Sequence, residues 1–227
     1  MCSAIRYLWA ALILEVMCRL FGLLSNRPCS AFRYLFGDQC SLFAQSKADP
    51  SRLQGDGWGI GFYASGCLRV IKSERPIYEE RERFKSIAGS IESNIIVAHV
   101  RRASNPRGLP REKLISVENS QPFHYENYVF AHNGTIMIPD EVKGLLGEWR
   151  LRIRGLNDSE VYFWFIIKEL HEGGSIAEAL RNFEKDLWRV WFEVRDKHPG
   201  KTRPYMGLNM IFSDGERLYA YVSTMRG

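Results

Sequence analysis

The strongest constraint on the fold is a run of seven consecutive apolar residues, VYFWFII, at residues 161–167. The run follows Asn157, a residue type that often caps the start of a helix, and Glu160 three positions later resembles the second member of a capping box. A helix that is apolar on all sides must be covered on all sides, so we expect this helix to be buried nearly all round.

The other apolar runs predict one more helix and several strands. A helical face is formed by Ile176, Leu180, Phe183, Leu187 and Val190. Three runs of strand length are RLFGLL after Cys18, NIIVAHV at 94–100 and YVFAHNG at 128–134. The centre of GDGWGIGFYASGCLRVIKS, at 55–73, predicts a hairpin with its turn at residues 65 and 66. Two more strands, LNMIFS and RLYAYVS, are joined by a turn at residues 214 and 215. Strands at both ends with helices between them predict a single layered α+β domain.

Composition argues against several classes of site and partner. The 227 residues carry a net charge of +5, but the basic residues are scattered and match no nucleic-acid-binding module. Five cysteines without C-x-x-C spacing and five dispersed histidines predict neither a disulfide framework nor a metal site. Glycines at 55, 57, 59 and 61 do not match G-x-G-x-x-G, so no dinucleotide cofactor is expected. We therefore expect a cytoplasmic protein without metal, cofactor or nucleic acid.

Residues 1–17 are predicted to be an extension in front of the domain. The apolar stretch at 7–14 follows a single arginine and weakly resembles a secretory signal, but the residues before Cys18 are not the small ones that cleavage requires. Eight apolar residues are also far fewer than the roughly 20 of a membrane span, so no membrane partner is expected. A helix packed on the domain and a start further downstream are the alternatives. We predict that the extension is absent from the mature protein and that the domain covers residues 18–227.

Four polar clusters lie at strand edges or at a helix start: Cys18, HVRRAS at 99–104, HNG at 132–134 and NDSE at 157–160. Each has an ordinary structural explanation when taken alone. Cysteine in an apolar run is usually core, arginine forms surface ion pairs, Asn-Gly favours a turn, and aspartate at a helix start interacts with the helix dipole.

Taken together, six motifs resemble the class-II glutamine amidotransferases: MCRLFG, GDGWGIGFY, AHVRRAS, NSQPF, AHNGT and NDSE, in this order. The similarity is greatest to the stand-alone branch of bacterial and archaeal amidotransferases and γ-glutamyl hydrolases of thiol metabolism, and runs from Met17 to about Val222. It implies the N-terminal-nucleophile fold, a four-layer αββα sandwich. Relatives commonly continue with further strands after YAYVST, so both a truncated and a compact member stay open.

The resemblance also implies three catalytic residues. Cys18 matches the leading cysteine, whose thiolate attacks the γ-carbonyl while its own α-amine, with a pKa of about 7.7–8.0, takes the proton. The side-chain N–H of Asn133 and the backbone N–H of Gly134 match the donors of the oxyanion hole.

The substrate-binding residues implied by the resemblance hold the amino-acid end. Arg101 matches the arginine that binds the α-carboxylate, and Asp158 matches the aspartate that binds the α-ammonium group. Three further residues are expected to shape the pocket without reacting: Trp58, Gly59 and His99.

Three functions follow as alternatives. The first is hydrolysis of glutamine to glutamate and ammonia, with any ammonia acceptor on a separate synthase subunit. The second is hydrolysis of a γ-glutamyl amide on a small thiol-related metabolite or peptide. The third is a non-catalytic glutamyl-binding regulator whose amine stays capped by residues 1–17. The oligomeric state is left open.

Overall fold

The described residues form eight strands in two antiparallel sheets of four, seven of them at the predicted strand runs and one, β5, in addition. The computed structural model describes residues 18–223. The first sheet has the order β1-β4-β2-β3 and the second the order β5-β6-β7-β8. The strands are β1 Arg19–Ser30, β2 Trp58–Ala64, β3 Cys67–Ser73, β4 Glu92–Val100, β5 Phe123–Tyr125, β6 Tyr128–Ile136, β7 Tyr205–Ser213 and β8 Leu218–Tyr221.

Within residues 18–223, five α-helices connect the strands: α1 Leu42–Gln45, α2 Arg81–Ser90, α3 Pro139–Val142, α4 Asp158–His171 and α5 Ile176–Val194. A π-type turn at Arg33–Gly37 and 3₁₀ turns at Pro50–Arg52, Arg111–Lys113, Lys143–Arg152 and Arg195–Lys197 complete the regular structure. Between Cys18 and Ser223, none of the helices combines the length and the apolar composition that a membrane crossing requires.

Three apolar clusters separate four layers. One cluster lies between the second sheet and the helices α4 and α5. Another lies between the first sheet and the helices α1 and α2. The third, built on Val97, Val129, Ala131 and Ile211, joins the two sheets face to face. The predicted αββα sandwich is therefore confirmed.

Helix α4 is buried as its apolar run predicts, since every residue from 158 to 167 is buried. Its start differs from the prediction. Asn157 caps the helix by accepting from the N–H of Ser159. The prediction of a capping box between Asn157 and Glu160 is wrong. The carboxylate of Glu160 instead accepts from the N–H groups of Arg154 and Gly155, both at 2.9 Å, because the segment before the helix folds back across the first turn.

Strand pairing places the nucleophile candidate at one end of the first sheet. The pairing of β1 with β4 ends where Arg19 lies opposite Val100, and β2 begins opposite the same residue. The N–H of Arg101 continues this pattern by donating to the carbonyl of Gly57 at 2.8 Å. Cys18 and Arg101, one residue beyond the paired positions, consequently lie side by side.

Side-chain alternation sets which face these residues use. Val97 and Leu20 contact the cluster between the sheets. Because side chains two residues apart share one face of a strand, His99 and then Arg101 continue the Val97 row toward the second sheet. Cys18, two residues before Leu20, lies on the same face.

Candidate active site

The thiol of Cys18 is held by the backbone of Arg102. The Arg102 N–H donates to Sγ and Sγ–H donates to the Arg102 carbonyl, both at 3.3 Å. Burial raises the pKa of the thiol, and the Arg102 N–H and the charge of Arg101 oppose this effect more weakly. The protonated thiol is therefore favoured, and the group needs a base before it can act as a nucleophile.

Arg101 is buried, with 3% of its surface exposed, and is fixed by backbone carbonyls. Its Nη1 donates to the carbonyls of Leu114 at 2.7 Å and Asp56 at 3.4 Å. No residue in the described part of the chain accepts from Nε or Nη2. That edge of the guanidinium has the fork geometry that pairs with a carboxylate through two parallel hydrogen bonds.

Burial lowers the pKa of Arg101, and the neighbouring Cys18, Asp56 and Asp158 act in the opposite direction. Arginine stays charged in proteins, so the site keeps one fixed cation. Asp158 also raises the pKa of the Cys18 thiol, although burial is the larger cause. The cation, the carboxylate and the thiol thus lie within electrostatic reach of one another.

Asp158 is the first residue of α4 and joins the two sheets. Its carboxylate accepts from the hydroxyl of Ser104 at 2.8 Å and from the N–H of Ile136 at 2.6 Å. Ser104 belongs to the loop after β4, whereas Ile136 ends β6. Each carboxylate oxygen keeps a lone pair for a further donor.

Asn133 and Gly134 lie near the end of β6, where the pairing register with β7 shifts after Gly134. The Oδ1 atom of Asn133 is buried and has no hydrogen-bond partner among the described residues. A Cβ on Gly134 would lie 2.1 Å from the carbonyl oxygen of Gly207 and 2.4 Å from Nε2 of His132. Only glycine fits at this position.

Trp58 and Gly59 are structurally constrained. Trp58 is fully buried on the outer face of the first sheet, where its Nε1 donates to Glu80 at 2.9 Å and its ring packs edge-on against Phe84. This is the face opposite to Arg101. A Cβ on Gly59 would lie 2.4 Å from the carbonyl oxygen of Gln121, so glycine lets that segment cross the strand.

The two histidines near the site are both fully enclosed. Burial, and secondarily the charge of Arg101, lower the pKa of His99 to about 3, and neither of its ring nitrogens has a partner among the described residues. His132 Nδ1 lies 2.8 Å from the hydroxyl of Ser159, and Nε2 lies 3.3 Å from the carbonyl of Gly207. Because a carbonyl only accepts, Nε2 carries the proton and Nδ1 accepts from Ser159. Burial lowers the pKa of His132 as well.

Two residues important to this geometry were missed from the sequence. Asp56 is buried, and its carboxylate accepts from the N–H of Ala103 at 2.7 Å and from the guanidinium of Arg111. Asn119 is also buried and bonds to the carbonyl that holds Arg101. Asp56 lies in the motif GDGWG and Asn119 in the motif NSQPF. The local sequence pattern does not indicate their hydrogen-bond partners, because most of those partners are distant along the chain.

No three His, Cys, Asp or Glu side chains between residues 18 and 223 are grouped as metal ligands would be. The polar groups that lie together are the buried guanidinium of Arg101, the carboxylate of Asp158 and the thiol of Cys18. The first two could bind the carboxylate and the ammonium group of an amino acid.

A family model described as class-II glutamine amidotransferases matches residues 17–226. An uncharacterised protein of Methanocaldococcus jannaschii is 29% identical over 209 residues, covering 90% of this chain and 50% of the relative. The γ-glutamyl-hercynylcysteine sulfoxide hydrolase of Mycobacterium tuberculosis is 29% identical over 123 residues, covering 53% of this chain and 50% of the enzyme. The chain thus spans about half the length of these curated relatives.

Solved structures support the fold. The glutamine phosphoribosylpyrophosphate amidotransferase of Bacillus subtilis superposes with a TM-score of 0.59 at 16% identity, over 90% of this chain and 37% of that one. A glutamine aminotransferase class-II domain protein of Silicibacter pomeroyi gives a TM-score of 0.52 at 22% identity, over 75% and 70%. With the family model covering nearly the whole chain, this protein belongs to the class-II glutamine amidotransferase family.

Proposed function

We propose that this protein is an amidohydrolase that cleaves the γ-amide of glutamine, with Cys18 as the nucleophile. The observation that carries the proposal is the meeting of a buried thiol, a buried guanidinium and a carboxylate at one end of the two facing sheets. An α-amino acid carries the complementary pair of charges.

Substrate binding uses the hydrogen-bond donors of Arg101 and the hydrogen-bond acceptors of Asp158 that the protein itself does not occupy. The Nε–Nη2 edge of Arg101 binds the α-carboxylate, because Nη1 is already held by backbone carbonyls. Asp158 accepts from the α-ammonium group with its remaining lone pairs. Trp58 supports the pocket wall from the outer face of the first sheet, Gly59 and His99 lie on its inner face, and none of the three reacts.

The base in this proposal is the α-amine of Cys18. His99, with a pKa of about 3, and His132, whose pKa is also lowered, are poor proton acceptors at neutral pH. An α-amine has a pKa of about 7.7–8.0 and lies on the same residue as the thiol. A peptide bond to Met17 would turn it into a non-basic amide, so we propose that the active form begins at Cys18.

The reaction then proceeds in two stages. The amine takes the thiol proton, Sγ attacks the γ-carbonyl, and the resulting oxyanion accepts from Asn133 Nδ2 and the Gly134 N–H. The C–N bond breaks as the amine returns the proton to the leaving ammonia, which leaves a γ-glutamyl thioester on Cys18. Water adds to the thioester, the thiol is regenerated and glutamate is released.

A γ-glutamyl amide of a small thiol-related metabolite or peptide is the second candidate substrate. The similarity to a mycobacterial γ-glutamyl hydrolase favours it. Arg101 and Asp158 would bind the same α-carboxylate and α-ammonium groups in glutamine and in a γ-glutamyl amide. The ratio of kcat/KM for γ-glutamylcysteine and for glutamine distinguishes the two substrates.

We place the protein in the cytoplasm, in keeping with the free thiols of all four cysteines in the described part of the chain. Ammonia used for synthesis would pass to an acceptor subunit on another chain.

Covalent labelling tests the proposal. Protein that begins at Cys18 is treated with an electrophilic glutamine analogue, and the adduct is located by peptide mapping. We expect one adduct, on Cys18, and no turnover in Cys18→Ala. Cys40→Ala is the matched control, because Cys40 is an exposed free cysteine that matches no catalytic motif, and it should keep full activity. An adduct on Cys29, Cys40 or Cys67 would reject the mechanism.

A further inference from the structure

Asn119 is a buried side chain whose hydrogen bonds span two segments of the chain. Its Nδ2 donates to the carbonyls of Lys113 and Leu114, both at 3.1 Å. Its Oδ1 accepts from the N–H of Leu156 at 2.6 Å, and its carbonyl accepts from Nδ2 of Asn157 at 2.7 Å. One residue therefore joins the loop after β4 to the segment that leads into α4.

The first of these segments positions Arg101. The carbonyl of Leu114 accepts from Asn119 and also from Nη1 of Arg101 at 2.7 Å. Because the donor from Asn119 fixes the direction of this carbonyl, it also fixes the orientation of the guanidinium.

The second segment positions Asp158. Asn157, whose side chain bonds to the Asn119 carbonyl, caps α4 and directly precedes Asp158. Close packing strengthens this link, since a Cβ on Gly155 would lie 2.5 Å from Oδ1 of Asn119. The segment can thus approach Asn119 only because residue 155 is glycine.

We propose that Asn119 is a positioning residue that sets the spacing between Arg101 and Asp158, and thereby selects substrates that carry both an α-carboxylate and an α-ammonium group. This inference rests on the proposed function, in which those two side chains bind the two charged groups. The two contacts of the Asn119 side chain can be changed separately. Its amide nitrogen binds the carbonyls next to Arg101, and its amide oxygen binds the segment before α4.

The test compares three substrates with two variants. The substrates are L-glutamine, glutaramate, which lacks the α-ammonium group, and 4-aminobutanamide, which lacks the α-carboxylate. Asn119→Asp keeps the acceptor for Leu156 but places an oxygen against the carbonyls of Lys113 and Leu114. Asn119→Ala removes both functions.

For Asn119→Asp we expect a rise of about tenfold in KM for glutamine and a similar loss of its preference over 4-aminobutanamide, because a hydrogen-bonded positioning contact is lost on the carboxylate side. Its preference over glutaramate should be kept. Asn119→Ala should lose both preferences.

Asn105→Ala is the matched control. Asn105 lies in the same loop and is exposed, and its side chain bonds only within that loop, to the N–H and carbonyl of Leu109, both at 2.8 Å. Both preferences should match those of the wild type. Circular dichroism checks that each variant is folded, and Asn119→Asp alone decides the matter if Asn119→Ala does not fold.

Equal losses of kcat/KM on all three substrates would mean a merely structural role and would overturn the inference, as would wild-type preferences in Asn119→Asp. If the wild type hydrolyses none of the substrates, the proposed function fails separately. Calorimetric titration with L-glutamate then decides the inference: Asn119→Asp should bind about tenfold more weakly, and equal binding, or none by the wild type, overturns it.

Discussion

Replacing Asp158 by asparagine and by alanine should separate its structural role from its role in binding. The carboxylate accepts from Ser104 Oγ at 2.8 Å and from the Ile136 N–H at 2.6 Å. An asparagine amide can keep both contacts, because its oxygen accepts from Ile136 and its NH₂ donates to the Ser104 hydroxyl, which can also act as an acceptor. Alanine leaves the buried N–H of Ile136 without an acceptor.

The magnitudes follow from these contacts. A hydrogen bond to a charged group contributes about 1.5–3 kcal/mol, and an unpaired buried donor costs about 1–3 kcal/mol. We expect the free energy of unfolding to fall by about 3 kcal/mol in Asp158→Ala and by about 1 kcal/mol in Asp158→Asn, in which only the charge is lost. Urea denaturation followed by circular dichroism measures both values.

Kinetics then isolate the binding role. Because Asp158→Asn cannot offer a charge to the α-ammonium group, KM for glutamine should rise at least about tenfold. KM for glutaramate, which lacks that group, should stay unchanged. Equal loss of stability in the two variants, or equal increases in KM for the two substrates, would refute this reasoning.

Three further predictions concern other parts of the site. Asn133→Ala should lower kcat by about 10²–10³ with little change in KM, because its donor acts on the oxyanion; an unchanged kcat would contradict the assignment. Gly59→Ala should destabilise the fold, since the new Cβ would lie 2.4 Å from a backbone carbonyl, whereas Gly144→Ala, with open space around it, should not; melting temperatures compare them. Because the pKa of His99 is about 3, the unfolded state takes up a proton below about pH 6.5 and the folded state does not, so stability should fall as the pH drops toward 3. His99→Gln should flatten this dependence in urea titrations at several pH values, and an unaltered slope would contradict it.

The parts of the fold that sequence could predict are those with strong local patterns. The hairpin of β2 and β3, the amphipathic face of α5 and the all-round burial of α4 follow from spacing alone and are confirmed. Strand β5 has only three residues, and α2 buries only Phe84 and Ala88, so neither gives a clear periodic signal.

The contacts that organise the site could not be predicted, because they join residues distant in sequence. Asp56 contacts the loop after β4 some 45 residues further on, and Asn119 contacts Leu156 across 37 residues. Glu160 fits the local pattern of a capping box, but the chain brings other N–H groups within its reach. Motif order predicted Arg101 and Asp158 as residues of the site, whereas the hydrogen-bond network that holds them could be seen only in the structure.

The most direct test of the mechanism compares two purified forms of the protein. One begins at Cys18 after removal of an initiating Met17, and the other retains residues 1–17, with both N-termini verified by mass spectrometry. We expect the first form to release ammonia from glutamine, or the amine from a γ-glutamyl amide, and the second to release neither, because its Cys18 nitrogen is an amide. Equal activity in the two forms would contradict the N-terminal amine as the base.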